Sequence, residues 1–303
     1  MNAIGFIRRQ ACPLCGDTSS SSALVTHQMD APPIADYLTR YYSGRVDVAA
    51  LAGGEYALLR CADCGGMYQR DILNDAGMAT LYEEWIAPEG SLYKKETASL
   101  AVRVGLARQC VQVIRAVNRP PHEVRVLDFG MGWGAWLLMA RAFGMTAHGL
   151  ELSQRRIAYA EAQGLTVVGL DALENQTYDF IMAEQVFEHL PEPLAALKSC
   201  YAALRPGGWL RIAVPNGATF AAANWQPDYM PSIPLEHINM FTPTSLSAFA
   251  ERGGFVVRPA PLVLPMLSPA PAALKQWLGV LGKGVLERLR PQTDTQIWLQ
   301  KPQ

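Results

Sequence analysis

Val126-Leu127-Asp128-Phe129-Gly130-Met131-Gly132-Trp133-Gly134 is a short apolar run that ends in an acid and then breaks into three alternating glycines. Such a run predicts a buried strand, and the apolar stretch from Trp133 to Phe143, closed by Gly144, predicts a helix directly after it. Between the two, glycines permit tight turning and let a ligand approach the backbone closely. In an open parallel sheet, ligands sit outside the carboxyl ends of the strands, so the loop Asp128–Gly134 predicts a binding site. Its spacing is GxGxG with Ala135 next, which departs from the GxGxxG of dinucleotide sites.

Outward from this loop, strand and helix patterns alternate. Thr146–Leu150, Thr166–Val168, Asp179–Met182 and Trp209–Val214 read as further strands, and Phe255–Val257 and Thr295–Leu299 as two closing ones. Ser153 is placed to cap one helix, and Thr242-Pro243 opens another that runs to Gly253. The alternation predicts an α/β fold with a doubly wound, mostly parallel sheet. Two more acids fall at strand ends. Glu151 follows the second strand, where a carboxylate can bind ribose hydroxyls, and Leu152 lies beside it. Asp171 follows the third, where an adenine amino group can be read, while Asp128 can accept from a cationic amino group.

The segments LDFGMGWG, GLELS, GLDAL, YDFIMAEQVFEHLPEP and LRPGGWLRIAVPN resemble the successive motifs of class I methyltransferases over residues 123–215, and GGF at Gly253 and the terminal TQIWLQKP extend the match. The resemblance implies a Rossmann-like seven-stranded sheet with S-adenosylmethionine across its carboxyl edge. It assigns Asp128, Gly130, Met131, Gly132 and Gly134 to the methionine side, Glu151 and Leu152 to ribose, and Asp171 and Ala172 to adenine. Glu184 and Gln185 would line the cofactor after the fourth strand.

Methyl transfer from a sulfonium is an in-line displacement, so alignment carries most of the catalysis, while a hydroxyl or an activated carbon acceptor also needs a base. Five histidines are present. His122 and His148 sit in early strand regions, and His27 lies near the N-terminus as a surface residue or a spare metal ligand. His189 follows the fourth strand in EQVFEH, and Glu236-His237 follows the fifth in IPLEHINMFTP, so these three are the candidate acid/base residues.

Residues 1–75 read as irregular and turn-rich. Four of the six cysteines form CPLCG and CADCG, with Cys12, Cys15, Cys61 and Cys64 as two thiolate pairs. Two such turns suit a structural tetrahedral zinc with no open position. Cys110 and Cys200 read as buried small hydrophobes. CPLCG, PPIADYL and YALLRCADCGGMYQRDIL resemble the zinc-binding N-terminal region of deoxysugar C-methyltransferases. In that family a histidine after the fourth strand and a later Glu-His pair form the acid/base apparatus, positions that His189 and Glu236-His237 match. That family carries a further C-terminal domain, for which 303 residues leave no room.

The expected organisation is a zinc-binding module at 1–75, a helical linker or lid at 76–122 with Tyr82, Trp85 and Tyr93, and the methyltransferase domain at 123–303. A helical insertion is expected at about 260–292, where Leu274, Leu278, Leu281, Val285 and Leu289 form an apolar stripe. Half the residues are hydrophobic and the net charge is −1, with no signal peptide or membrane-length apolar run, which points to a cytoplasmic protein. The expected acceptor is a small molecule, a sugar nucleotide or another secondary metabolite. A zinc module gripping RNA is the alternative, weighed against by the charge balance. The other is a non-catalytic cofactor-binding protein.

Overall fold

The computed structural model describes residues 3–18, 21–87, 92–93, 95–173, 177–263 and 294–303. In chain order the N-terminal part contains β1 (Phe6–Arg8), β2 (Ser21–Gln28), α1 (Ile34–Tyr41), β3 (Glu55–Cys61), β4 (Met67–Gln69), β5 (Asp71–Leu73) and α2 (Asp75–Thr80), the last running into one π turn at Leu81–Trp85. Then come α3 (Leu100–Val117), β6 (Arg125–Phe129), α4 (Ala135–Ala142), β7 (Thr146–Leu150), α5 (Gln154–Ala162), β8 (Thr166–Val167), α6 (Leu170–Leu173) and β9 (Tyr178–Glu184). The chain closes with α7 (Pro193–Ala203), β10 (Leu204–Pro215), β11 (Asn239–Met240), α8 (Pro243–Arg252), β12 (Val256–Arg258) and β13 (Asp294–Gln300).

The expected seven-stranded sheet has the order β12-β13-β10-β9-β6-β7-β8. β8, β7, β6, β9 and β10 pair parallel, and β13 runs antiparallel between β10 and β12. Its central strands are apolar on both faces because helices cover both. Along β6 and β9, Leu127 and Ile181 enter one core while Val126 and Phe180 enter the other. At the amino edge the buried Asp179 carboxylate accepts from the Arg125 amide at 2.7 Å and from Arg119 at 3.0 Å, and pairs with Arg205 at 2.7 Å. Polar anchoring at that edge leaves the carboxyl edge free to build a site.

Residues 1–75 are more regular than the irregular, turn-rich segment expected. β2, β3 and β4 form an antiparallel sheet, and β11, from between β10 and α8, completes it in the order β11-β4-β3-β2. β3 lacks a clean alternation because Tyr56, Ala57 and Leu58 are all buried; Tyr56 and Leu58 enter one core with both α1 and the later segment, Tyr56 stacking on Trp225 at 4.8 Å. Trp225, Ile233, Leu235 and Met240 share one core with Ile34, Leu38, Tyr42 and Tyr56, so these residues pack with the N-terminal strands, while Phe241 enters the core on the sheet side. His27 stacks on Trp225 with ring centroids 5.4 Å apart.

Some local expectations shift. Within the helical linker expected at 76–122, α2 and its π turn end at Trp85, and α3 begins after Ser99. Ser153 stands at the N-cap of α5 but makes no side-chain cap bond, and its amide donates to Glu151. α8 has its full capping box, Thr242 and Ser245 exchanging side chain-to-amide bonds at 3.1 and 2.9 Å. Cys110 and Cys200 are fully buried. The expected helical insertion lies, from residue 264 to 293, outside the described residues. Among the described residues no helix is long and apolar enough to cross a membrane.

Candidate active site

β6, β7 and β9 end side by side at the carboxyl edge, and each delivers an acid there. Asp128 closes β6, and the following glycines all take positive φ, +78° at Gly130, +54° at Gly132 and +73° at Gly134. A Cβ at Gly130 would strike Val186 at 2.5 Å, so this position needs glycine twice over. Nothing lies within 4 Å of the Cβ position at Gly132, which therefore faces open space. Met131 is buried below the loop, its sulfur filling the space beside Gly149.

Glu151 spans the gap between β7 and the loop. One carboxylate oxygen accepts from the Gly132 amide at 3.0 Å, and the other from the Leu152 and Ser153 amides at 2.8 and 3.1 Å. Arg156 stands 3.6 Å from the same carboxylate, with its guanidinium over the Trp133 ring. Leu152 and Leu170 are exposed large apolar residues near these strand ends, and Asp171 is exposed on α6, which also carries Ala172. Glu184 accepts from Arg211 at 2.7 Å and from Gln109 of α3 at 3.0 Å. Gln185 takes a positive φ of +57° as the chain leaves β9.

Asp128 is buried, with 6% of its surface exposed. Burial, with Glu184 and Glu151 nearby, pushes its carboxyl up to about 8. A cationic amino group docked on it would restore its charge. That buried acid, the open face at Gly132 and the carboxylate at Glu151 fit an amino acid and a ribose bridged across β6 and β7. The residues thus suit S-adenosylmethionine.

The candidate acid/base residues do converge. The His189 and His237 rings meet edge to face with centroids 4.7 Å apart. His189 Nδ1 lies 3.0 Å from the Glu236 carbonyl oxygen, and His237 Nδ1 is bonded to the Met230 carbonyl. Burial lowers both, His189 to about 3 with His237 contributing, and His237 to about 4, so both rings are neutral near pH 7. The Glu236 carboxylate accepts from Tyr42 at 2.7 Å, and its burial raises its pKa. Leu235, just before it, holds a φ of +72°, a strained conformation for a bulky side chain.

Of the expected lid aromatics, Tyr82 approaches His189 at 6.4 Å between ring centroids, Trp85 is buried in the N-terminal core, and Tyr93 is exposed. His148 bonds to Tyr178 at 3.1 Å, away from these residues. Sequence reading missed Tyr42, Arg156, Arg211 and Glu188. Tyr42 and Arg211 are remote in sequence from the acids they serve, and Arg156, five residues after Glu151, carries no pattern that marks it. Glu188 was in view beside His189, but its burial is visible only in three dimensions.

The four paired cysteines also meet. Cys12 and Cys64 sulfurs lie 3.7 Å apart, Cys15 and Cys61 3.6 Å, and all four sit within 4.8 Å of one another. Four thiolates about 2.3 Å from one zinc are separated by about 3.8 Å, so the cluster fits that ion. Each knuckle turns on a glycine of positive φ, Gly16 or Gly65, whose amide returns to the first cysteine's carbonyl at 2.8 or 3.1 Å. The Cys64 sulfur first and burial next push the Cys12 thiol up, while the contact with Cys12 lowers Cys64 to about 5.

A sequence-family model described as a methyltransferase domain matches residues 103–260. The ubiquinone biosynthesis O-methyltransferase of Parvibaculum lavamentivorans is 31% identical over 155 residues, 46% of this chain and 61% of the relative. That of Paraburkholderia xenovorans is 28% identical over 142 residues, 41% of this chain and 61% of the relative. The matches thus span about three fifths of these relatives' length. Among solved structures, an S-adenosylmethionine-dependent methyltransferase from Archaeoglobus fulgidus aligns with a TM-score of 0.46 at 20% identity, covering 69% of this chain and 98% of that one. The 1,6-didemethyltoxoflavin-N1-methyltransferase of Burkholderia thailandensis aligns with a TM-score of 0.48 at 14% identity, covering 80% and 99%.

Proposed function

Because the chain belongs to the methyltransferase-domain family, we propose that it transfers the methyl group of S-adenosylmethionine to a small molecule whose nucleophile faces His189, Glu236 and His237. The observation that carries this reading is the enclosed Asp128 carboxyl beside a glycine loop that opens at Gly132. Asp128 would take the cofactor's ammonium, the loop amides its carboxylate and Glu151 its ribose hydroxyls. Leu152, Asp171 and Ala172 would flank adenine, with Glu184 and Gln185 completing the wall. Bound there, the cofactor supplies an activated methyl, and the chain's task is to align the acceptor and take its proton.

Glu236 suits proton acceptance: its carboxylate is fixed by Tyr42 and stands next to His237 in the chain. The acceptor class follows from that need for a base: a hydroxyl, or a carbon beside a carbonyl. The two relatives named above are O-methyltransferases, so oxygen acceptors come first in a screen, with deoxysugar nucleotides next. Cys12 and Cys61 belong to the same buried cluster as Leu127 and Phe187 of the sheet side. A cluster turned inward in this way supports a structural zinc better than an RNA grip.

The test is calorimetric titration of S-adenosylmethionine, followed by an acceptor screen reading S-adenosylhomocysteine release. Wild type should bind the cofactor. Glu151→Ala should weaken it by about tenfold or more, in line with two charge-assisted hydrogen bonds lost. Glu236→Gln should bind cofactor as wild type does and turn over at least about a hundredfold more slowly. Wild-type cofactor affinity in Glu151→Ala would overturn the site.

A further inference from the structure

Glu188 is the least explained polar residue of the site. Its side chain is 1% exposed, and neither carboxylate oxygen has a hydrogen-bond partner among the described residues. Its backbone carbonyl is engaged, accepting from the Asn239 amide at 3.0 Å, so the residue is firmly placed while its charged end is left unanswered. A buried carboxylate without a partner is costly unless a proton or a cation neutralises it.

What faces it is a pair of imidazoles prepared in one particular way. His189 Nε2 lies 3.7 Å from the Glu188 carboxylate, too far for a hydrogen bond. The Nδ1 atoms of His189 and His237 are both held on backbone carbonyls, those of Glu236 and Met230. A carbonyl accepts only, so each Nδ1 carries the proton and each Nε2 keeps its lone pair. Fixing the remote ring nitrogen on a carbonyl is how metal-ligating histidines are oriented and made more basic. One ligand atom each from Glu188, His189 and His237 lies within 4.8 Å of the others.

We propose that Glu188, His189 and His237 hold a divalent transition-metal cation, distinct from the ion of the cysteine cluster. Two imidazoles and one carboxylate suit zinc, iron(II), cobalt or manganese, and three protein ligands leave positions open for oxygen donors. The inference deepens the methyltransferase reading: the open side would receive an oxygen-bearing acceptor. The histidines then serve as ligands, and Glu236, outside the set and bonded to Tyr42, keeps the proton-accepting role.

The experiment titrates Co2+ into the full chain carrying zinc in its cysteine cluster, following visible absorption and heat. One further equivalent should bind, with weak visible bands of nitrogen and oxygen ligation and no near-ultraviolet thiolate band. Glu188→Gln keeps the shape and removes the charge, and it should bind Co2+ at least about tenfold more weakly. His237→Gln should do the same, and circular dichroism checks that both fold. No uptake beyond the cysteine cluster by Co2+, Zn2+ or Mn2+ at about millimolar concentration overturns the proposal. So does unchanged uptake in both folded variants. S-adenosylmethionine affinity is read on the same samples. Cofactor binding without a second cation ends this proposal and leaves the methyltransferase reading. A second cation without cofactor binding upholds it and ends that reading instead.

Discussion

At the scale of the residue, the proposed contact of Asp128 with the cofactor's ammonium would make binding a proton-linked event. Its pKa is raised to about 8 by burial first and by Glu184 and Glu151 next, so the free protein holds it protonated near pH 7. A cationic amino group favours the ionised form, and binding should release that proton. Affinity for S-adenosylmethionine should therefore rise between pH 6 and 8, by at most about tenfold per pH unit. Stability of the free protein has the opposite sign. The native state keeps a proton that the unfolded chain gives up at ordinary carboxylate values, so stability is full at low pH and falls as pH rises through about 8. Asp128→Asn should flatten this term and weaken the cofactor. Calorimetry in buffers of different ionisation enthalpy measures the released proton, and equal heats across buffers would remove the linkage. Asp128 was legible in the sequence because an acid that ends an apolar run before glycine marks a strand end. The isolation of Glu188 was not, since an absent partner is a property of folded neighbours.

At the scale of the element, both histidine segments hang from the N-terminal strands. Arg9, next after β1, donates to the Asn239 side chain at 2.8 Å and to the Pro191 carbonyl at 3.0 Å. Asn239 donates in turn to the Phe187 and Leu190 carbonyls at 2.9 and 2.8 Å. Gln69, fully buried in β4, donates to the Ile233 and His237 carbonyls at 3.1 and 3.0 Å. These bonds fix residues 187–191 and 233–239 against one another, and with them His189 and His237. Arg9→Met takes the donor from the buried Asn239 side-chain oxygen, so a loss of about 1–3 kcal/mol is expected. Turnover should fall about tenfold or more while cofactor affinity stays within about twofold, since β6 and β7 are untouched. Steady-state kinetics beside denaturant unfolding separates the two, and unchanged kcat in a destabilised variant would reduce Arg9 to a structural tie. The strand alternation from residue 123 on was readable from hydrophobic pattern alone. β11 was not, because two residues paired to a strand 170 positions away carry no local signal.

At the scale of the whole molecule, the cysteine cluster stands where the N-terminal unit meets the seven-stranded sheet. Cys12 and Cys61 are buried in the same cluster as Phe129, Ile181 and Phe187, and Phe187 begins the run that leads to His189. Four thiolates gathered at that junction without a cation would repel one another against an apolar core, so the binding energy of the proposed zinc would be tied to the packing of the two units. The spacing of the cysteine pairs foretold the cluster, but it said nothing of where the cluster would lie. Counted apart from the cation proposed at Glu188, His189 and His237, one zinc per chain is expected at the cysteine cluster by elemental analysis. Removing it with a chelator, or by Cys64→Ser, should lower the melting temperature by about 10 °C if a few kcal/mol of junction stability is lost. The damage should be uneven. The proposed cofactor loop takes its backbone bonds from Leu150 and Glu151 rather than from the cysteine turns, so S-adenosylmethionine should still bind. Turnover should collapse, because Arg9 lies three residues before Cys12 and its bonds to Asn239 and Pro191 depend on the position of that strand. Calorimetric melting, cofactor titration and acceptor turnover on one chelated preparation decide the matter. A metal-free chain that melts and turns over as before would dissociate the cysteine cluster from the histidine segments.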